Sequence, residues 1–355
     1  MFGLAQPFCS GVAQKADAVV EMSSIAQTFN GAKVIITGGL GFIGSTLARR
    51  LVGLGADVLL VDSLIPEYGG NPFNIDGLST EGPGSVQVNI SDIRDIHGLK
   101  HLIRDRQYLF NLAGQTSHLD SMNDPIADLE INCSAQLALL EACRRINPDI
   151  TIVYASTRQI YGRPDYLPVD ERHLLRPVDV NGVNKMAGEA YHILYHQVYG
   201  MRTSALRLTN TYGPRMRIKD ARQTFVGVWL RLVLEGKPFE VWGGEQLRDF
   251  TFADDAVEAF LAAATTDAAA GRAFNIGGLG TISLAELAQT LIDANGGGDY
   301  RIMEFPAERK RIDIGDYYAD DSLFRSITGW QPTVSIGDGL SQSLAFYRRH
   351  LQHYL

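Results

Sequence analysis

Apolar positions along the first half of the chain follow two alternating rhythms. The β-branched runs KVIIT (33–37) and DVLLVD (57–62) flank a stretch that puts Ile43, Leu47 and Leu51 on one helical face. A third run, SVQVNI, ends just before Asp92, and YLFNLAG (108–114) is a fourth. Asp124 and Pro125 predict a helix start, with Asp as N-cap and Pro at the first helical position. Ile126, Leu129, Cys133, Leu137 and Leu140 form the expected apolar stripe of that helix. DITIVYAST (149–157) reads as a central strand, because its apolar run suits burial on both faces. A helix carrying VNGVNKMAGEAYH (180–192) and a strand SALRLTN (204–210) follow.

Strands alternating with helices, over connections too long for hairpins, predict a parallel sheet covered on both sides. After Asn210 the rhythm loosens into a basic loop, a helix near 224–236, short strands at FEVWG and RDFTF, and helices at 254–265, 283–294 and 337–352. The expectation is an α/β protein with an extension at 1–30, a first domain at 31–208 and a smaller α/β domain mainly at 209–355. Segments near 239–265 are expected to return to the first domain. The second domain closes over the carboxyl edge of the sheet, where ligands bind in open α/β folds.

A net charge of −8 without a basic block argues against nucleic acid as the main partner. No apolar run is long enough to span a bilayer, and the N-terminus lacks the basic region of a signal peptide. Cys9, Cys133 and Cys143 follow no metal spacing, so no metal is expected. They read as buried, reduced thiols of a cytoplasmic protein.

The turn TGGLGFIG lies between a strand and a helix. Gly38 permits the tight turn, Gly41 lets backbone approach a pyrophosphate, and Gly44 allows close helix–sheet packing. Phe42 and Ile43 open the helix whose free N–H groups would meet the phosphates. Asp62 ends the second strand where a ribose-binding acid is expected. With Ser63 and Leu64 after it and no arginine, NAD is favoured over NADP. Asp92 and Ile93 are placed beside the adenine, and Leu112, Ala113 and Gly114 beside the cofactor backbone. This is a doubly wound Rossmann sheet.

Taken together, TGGLGFIG, VDS, SDIRD, NLAGQ, ASTRQIYG, the Lys185 helix, LRLTNTYGPR, GKPFEVWGGEQLRDFTFADD, FNIGG, YYAD and GWQP resemble the extended short-chain dehydrogenase/reductases. More narrowly they resemble the nucleotide-sugar epimerases and dehydratases. The resemblance covers roughly 33–350 and implies a substrate-binding C-terminal domain. It places Thr157 as the catalytic Ser/Thr and Lys185 on the nicotinamide ribose. Gln115, Asn210, Arg215 and Arg248 fall on the substrate, Asn210 and Arg248 at its diphosphate, and Phe239 to Trp242 beside its base. It also implies a homodimer through a four-helix bundle; the helices at 124–146 and 179–199 carry apolar stripes that could pair across a two-fold axis, and the sequence alone also permits their burial within one chain.

The chain departs from the family pattern at two points. The tyrosine expected four residues before the lysine is Asn181. An amide cannot serve as a base and only orients a hydroxyl or water. A free lysine near 10.4 is a base only with roughly 4 kcal/mol of environmental bias. After Thr157, many 4,6-dehydratases carry an acidic pair; here Arg158 and Gln159 follow. Arg158 favours an anionic group or an enolate. His118, in a loop after the fourth strand, is a further acid–base candidate. The expected function is NAD-dependent nucleotide-sugar epimerisation through a keto-sugar. A 4,6-dehydratase and a catalytically inactive nucleotide-sugar sensor are the alternatives.

Overall fold

The computed structural model describes residues 25–306 and 313–355. Cys9 and most of the extension at 1–30 lie outside them. A helical turn at 25–29 drives Phe29 into the main core.

Seven parallel strands form the main sheet. β1 (Lys33–Thr37), β2 (Asp57–Asp62), β3 (Ser85–Ile90), β4 (Tyr108–Asn111), β5 (Thr151–Thr157), β6 (Thr203–Leu208) and β11 (Ala273–Ile276) lie in the order β11-β6-β5-β4-β1-β2-β3. The order reverses between β1 and β4, which opens a crevice at their carboxyl ends. β1 and β6 are almost wholly buried, whereas Val88 and Ile90 on edge strand β3 are exposed.

Helix α1 (Phe42–Gly53) follows β1, and α2 (Ile96–Leu102) follows β3. The next segment differs from a single long helix. Ser117 caps a short helix α3 (His118–Asn123) by accepting from Asp120 N, so His118 sits in a first helical turn rather than a loop. Asp124 then caps α4 (Pro125–Leu129), as its sequence predicts. A π turn at Glu130–Ser134 leads into α5 (Ala135–Ile146). The π turn shifts the helical phase. The buried face therefore runs through Asp128, Ile131, Asn132, Ala135, Leu139, Leu140 and Cys143, while Ile126 is 62% and Leu129 40% exposed. Cys133 is only half-buried, not core.

Helix α6 (Val180–Tyr199) also reverses the usual arrangement. Asp179 caps it by accepting from Gly182 N, and Gly200 ends it in the left-handed conformation. Its buried face is mostly glycine and polar residues, Asn181, Gly182, Asn184, Lys185, Gly188, Glu189 and His192, with Tyr195 the one large aromatic. Gly188 lets it approach β5, since a Cβ there would lie 2.7 Å from the Tyr154 hydroxyl. Glu189 fastens it, accepting from Ser156 Oγ at 2.6 Å and Arg207 Nη2 at 2.6 Å. Its apolar residues Val183, Leu194, Val198 and Tyr199 face outward.

The second unit begins beyond β6. It contains β7 (Asn210–Tyr212), α7 (Phe225–Leu234), β8 (Phe239–Trp242), β9 (Leu247–Arg248) and β10 (Phe250–Phe252). Further along come β12 (Ile282–Ser283), α9 (Leu284–Asn295) and β13 (Tyr300–Met303), which pairs with β8. The return to the main sheet lies at 253–276, not from 239. Helix α8 (Ala253–Thr265) packs in the core beneath the sheet, and β11 pairs with β6. Helices α10 (Ser322–Thr328) and α11 (Ile336–His350) close the chain.

Candidate active site

A cavity of about 810 Å³ lies at the carboxyl ends of β1, β2, β4 and β5 and extends under α7 and β8. Its wall includes Gly38, Gly41, Phe42, Ile43, Gly44, Asp62, Asp92, Ile93, Leu112, Ala113, Gly114, His118, Thr157, Arg158, Asn181, Lys185, Asn210, Phe239, Trp242 and Arg248.

At the cofactor end, Gly38 has φ +69°, a conformation costly for other residues. A Cβ on Gly44 would lie 2.2 Å from Gly38 O, so helix and turn pack as closely as glycine allows. Gly41 starts α1 without a side-chain cap, leaving the first N–H groups open toward an anion. Asp62 accepts from Leu40 N at 3.0 Å and Leu64 N at 2.9 Å. Burial raises its pKa, and those two N–H groups oppose the rise. Gly70 keeps space open over Asp62, since a Cβ there would come within 2.7 Å of Oδ1. These features fit a dinucleotide.

At the chemical end, Thr157 ends β5 and its hydroxyl accepts from Gln159 N at 3.2 Å. Lys185 Nζ reaches Ala155 O at 3.1 Å and lies 4.9 Å from the centre of the Tyr154 ring. Burial pushes its pKa down to about 8, against the pull of Asp128. A buried ammonium loses hydration that no single hydrogen bond replaces.

The NAD-dependent epimerase/dehydratase family model matches residues 34–277. The chain belongs to this family. It is 30% identical to a UDP-glucose 4-epimerase of Mycolicibacterium smegmatis over 323 residues, 90% of this chain and 100% of that protein. It is 29% identical to a dTDP-glucose 4,6-dehydratase of Streptomyces griseus, covering 89% and 94%. Its fold matches the crystal structure of a Bacillus cereus UDP-glucuronic acid 4-epimerase in complex with UDP-glucuronic acid and NAD. The TM-score is 0.78, with 28% identity over 90% of this chain and 99% of that one. NAD is thus the cofactor of this epimerase/dehydratase, and the glycine turn, Asp62 and Lys185 are the residues that would hold it.

The epimerase/dehydratase binds Asn181 in a way its sequence does not disclose. Asn181 is 2% exposed. Its amide nitrogen donates to Gln115 O at 2.8 Å and Asp128 Oδ2 at 3.0 Å, so both amide hydrogens are used within the protein. His118 Nδ1 lies 3.0 Å from Asp179 Oδ2. Burial works to raise the Asp179 pKa, but His118, Gly182 N–H and the Gln159 amide together hold it low. Two expected substrate residues do not reach the cavity. Gln115 is buried beneath the loop, donating to Ser117 O. Arg215 turns toward α1 and α11, with Nε 3.3 Å from Thr46 Oγ1 and its guanidinium over Phe346.

Arg158 and Arg248 meet in the wall. Arg158 Nη2 donates to Asn210 Oδ1 at 2.9 Å, and its Nη1 is shielded without a partner among the described residues. Arg248 lies 3.3 Å from Asp313, and burial together with Arg158 lowers its pKa to about 10. Beneath them, burial raises the Asp249 pKa to about 7. Asp313, Arg222 and Phe305 also line the cavity. No motif points to these three, whereas the Asp128–Asn132 spacing on one helical face could have drawn attention to Asp128. Among the described residues, no His/Cys/Asp/Glu cluster could hold a metal.

Proposed function

We propose that the chain interconverts epimers of a nucleotide-diphosphate sugar through a transient keto-sugar. The observation that carries epimerisation over elimination is the pair after Thr157. Arg158 and Gln159 stand where elimination would use a carboxylic acid and its conjugate base, and Gln159 Nε2 is already committed to Asp179 at 3.0 Å. Bound NAD supplies reversible hydride transfer, which leaves the protein the proton and the anchoring of the substrate.

Oxidation requires the sugar hydroxyl to lose its proton. Asn181 cannot take it, having neither the basicity nor a free amide hydrogen to orient a partner. Lys185 can. With a pKa of about 8, roughly a tenth of it is neutral at pH 7. Thr157 orients the hydroxyl, and His118 stands by at the other wall. Arg158 and Arg248 hold the anionic part of the ligand, and Phe239 and Trp242 border its base. The relatives that act on UDP-, dTDP- and UDP-uronic sugars support the substrate class.

The exposed apolar residues of α4 and α6 support a homodimer in which these helices of two subunits form a four-helix bundle.

The test is incubation of the purified protein with UDP-, dTDP-, CDP- and GDP-sugars in deuterated water, followed by NMR of the products. An equilibrium between two epimers is expected. Loss of water from every accepted sugar would overturn the reading. Deuterium next to the transient ketone distinguishes an enolate route from simple inversion at the oxidised carbon.

A further inference from the structure

Asp128 is fully buried in α4, yet its carboxylate is saturated by asparagine amides. Its Oδ2 accepts from Asn132 Nδ2 and Asn181 Nδ2, both at 3.0 Å, and its Oδ1 from Asn184 Nδ2 at 2.8 Å. Gln115 O ties the same group together, accepting from Asn132 at 2.9 Å and Asn181 at 2.8 Å. Two of these asparagines precede Lys185 in sequence, Asn184 directly and Asn181 one turn earlier.

Asn132 joins the cluster to Lys185. Its Oδ1 is buried and has no partner among the described residues. A Cβ built on Gly114 would lie 2.9 Å from Asn132 Oδ1 and 3.0 Å from Lys185 Nζ, so the two atoms border one point in space. Asn132 therefore faces the carboxylate with its amide nitrogen and lies beside the ammonium with its oxygen. The family tyrosine would stand where Asn181 is. Here that position is folded back onto the carboxylate.

Of the titratable groups around Lys185, Glu189, one turn along α6, is paired with Arg207 at 2.6 Å, and Tyr154 and His192 carry no charge near neutral pH. Tyr154 of β5 is raised well above the usual phenol range by burial, then by Glu189, Cys133 and Asp128. His192, two turns along α6, is lowered to about 4 by burial, and Lys185 adds to that fall. Asp128 alone is an anion that acts on Lys185 directly.

We propose that Asp128 is a positioning residue for proton transfer: it draws the Asn181 amide nitrogen onto itself at the cavity wall and supplies the negative charge that favours the protonated form of Lys185. The step balances simply. The sugar O–H bond breaks and an N–H bond forms on the lone pair of neutral Lys185 Nζ, while the carbon-bound hydrogen leaves with its electron pair to the oxidised dinucleotide. The ammonium formed is stabilised by Asp128, and the return step reverses each change. A phenol relay is replaced by a lysine–carboxylate pair separated by asparagine amides. The catalytic part of this rests on the epimerase reading above; the electrostatic part does not.

The experiment measures the folded-state pKa of Lys185 without turnover. Urea melts of the full chain, saturated with NAD, are taken from pH 6 to 11 for wild type and K185M, and again for both in a D128N background. The difference between members of each pair reports the Lys185 titration. Removing the carboxylate is expected to lower that midpoint by roughly one pH unit, and D128E to restore it. The rising limb of kcat/KM against pH is expected to move with it. An unmoved midpoint in D128N would overturn the proposal, as a packing role alone changes stability but not the titration. D128S is the second neutral variant. Should neither neutral variant fold with NAD present, Asp128 is a structural keystone and the proposal falls. Wild type that accepts no nucleotide-sugar would sink the epimerase reading while leaving the melts to decide the coupling.

Discussion

Replacing Lys185 with methionine is expected to make the protein more stable at neutral pH while abolishing its activity. Lys185 is 6% exposed, and its pKa falls from 10.5 to about 8. That fall is a penalty of roughly 3 kcal/mol on the protonated folded state. Methionine fills similar space without a charge. It forfeits the bond to Ala155 O, worth about 1 kcal/mol, so the net gain at pH 7 is about 2 kcal/mol. Asp128 is not left bare by the change, because three asparagine amides still bond it. The pH dependence follows from the sign of the shift. The unfolded chain binds more protons than the folded one between about pH 8 and 10.5, so wild-type stability rises across that window. The penalty is fully present below pH 8 and gone above 10.5. K185M lacks this rise, so its advantage should shrink from pH 8 upward, vanish at about pH 10 and reverse by about 1 kcal/mol above 10.5. Urea melts at pH 7, 9 and 10.5 read both quantities, and product NMR reads turnover. A variant less stable than wild type at pH 7, or a stability gap independent of pH, would refute the reasoning. Either result would mean that Lys185 is solvated or paired in a way its surroundings do not indicate.

Other substitutions separate the remaining roles. R158Q removes a charged donor from the cavity wall and is expected to raise KM for the accepted nucleotide-sugar by roughly 10- to 100-fold. Titration of the nucleoside diphosphate alone shows whether the loss falls on the diphosphate or on the sugar. N181Y takes a donor from both Gln115 O and Asp128 and should cost about 1–3 kcal/mol in urea melts; a variant as stable as wild type would mean that the amide bonds contribute nothing. The double variant I126D/V198D places charges on the exposed faces of α4 and α6 and is expected to convert a dimer to a monomer in multi-angle light scattering. Raising pH from 6 to 9 should increase kcat/KM with a midpoint near 8, as Lys185 loses its proton. K185M should show no such limb.

How far the fold and site were legible depends on which residues short-range rules can read. The glycine turn and the β-branched runs of β1, β2 and β5 follow from local sterics and burial. They placed the main sheet, and the glycine turn and Asp62 do line the cavity at the carboxyl ends of its strands. The apolar stripes of α4 and α6 were visible too, but not their direction. Period alone cannot say whether an apolar face turns inward, and here the π turn at 130–134 and the polar underside of α6 turn it outward. At the chemical end, Thr157 and Lys185 stand in the cavity as the family resemblance implies. Gln115 and Arg215 match the motifs equally well yet point elsewhere, because motif spacing fixes a backbone position and not the side-chain direction. Asn181 is the deepest case. Its missing phenol was plain in the sequence. The reason it can be missing was not, since the compensating carboxylate lies 53 positions away on another helix. Asp128 reads as one more polar residue in a first helical turn, where acids are common. Only its burial sets it apart. An acid withdrawn from water beside a withdrawn lysine, with amides between them, keeps both charges soluble in the interior without letting them neutralise each other. On the function proposed above, that arrangement would let a family built around a tyrosine hold an asparagine there and still present a titratable group to the sugar.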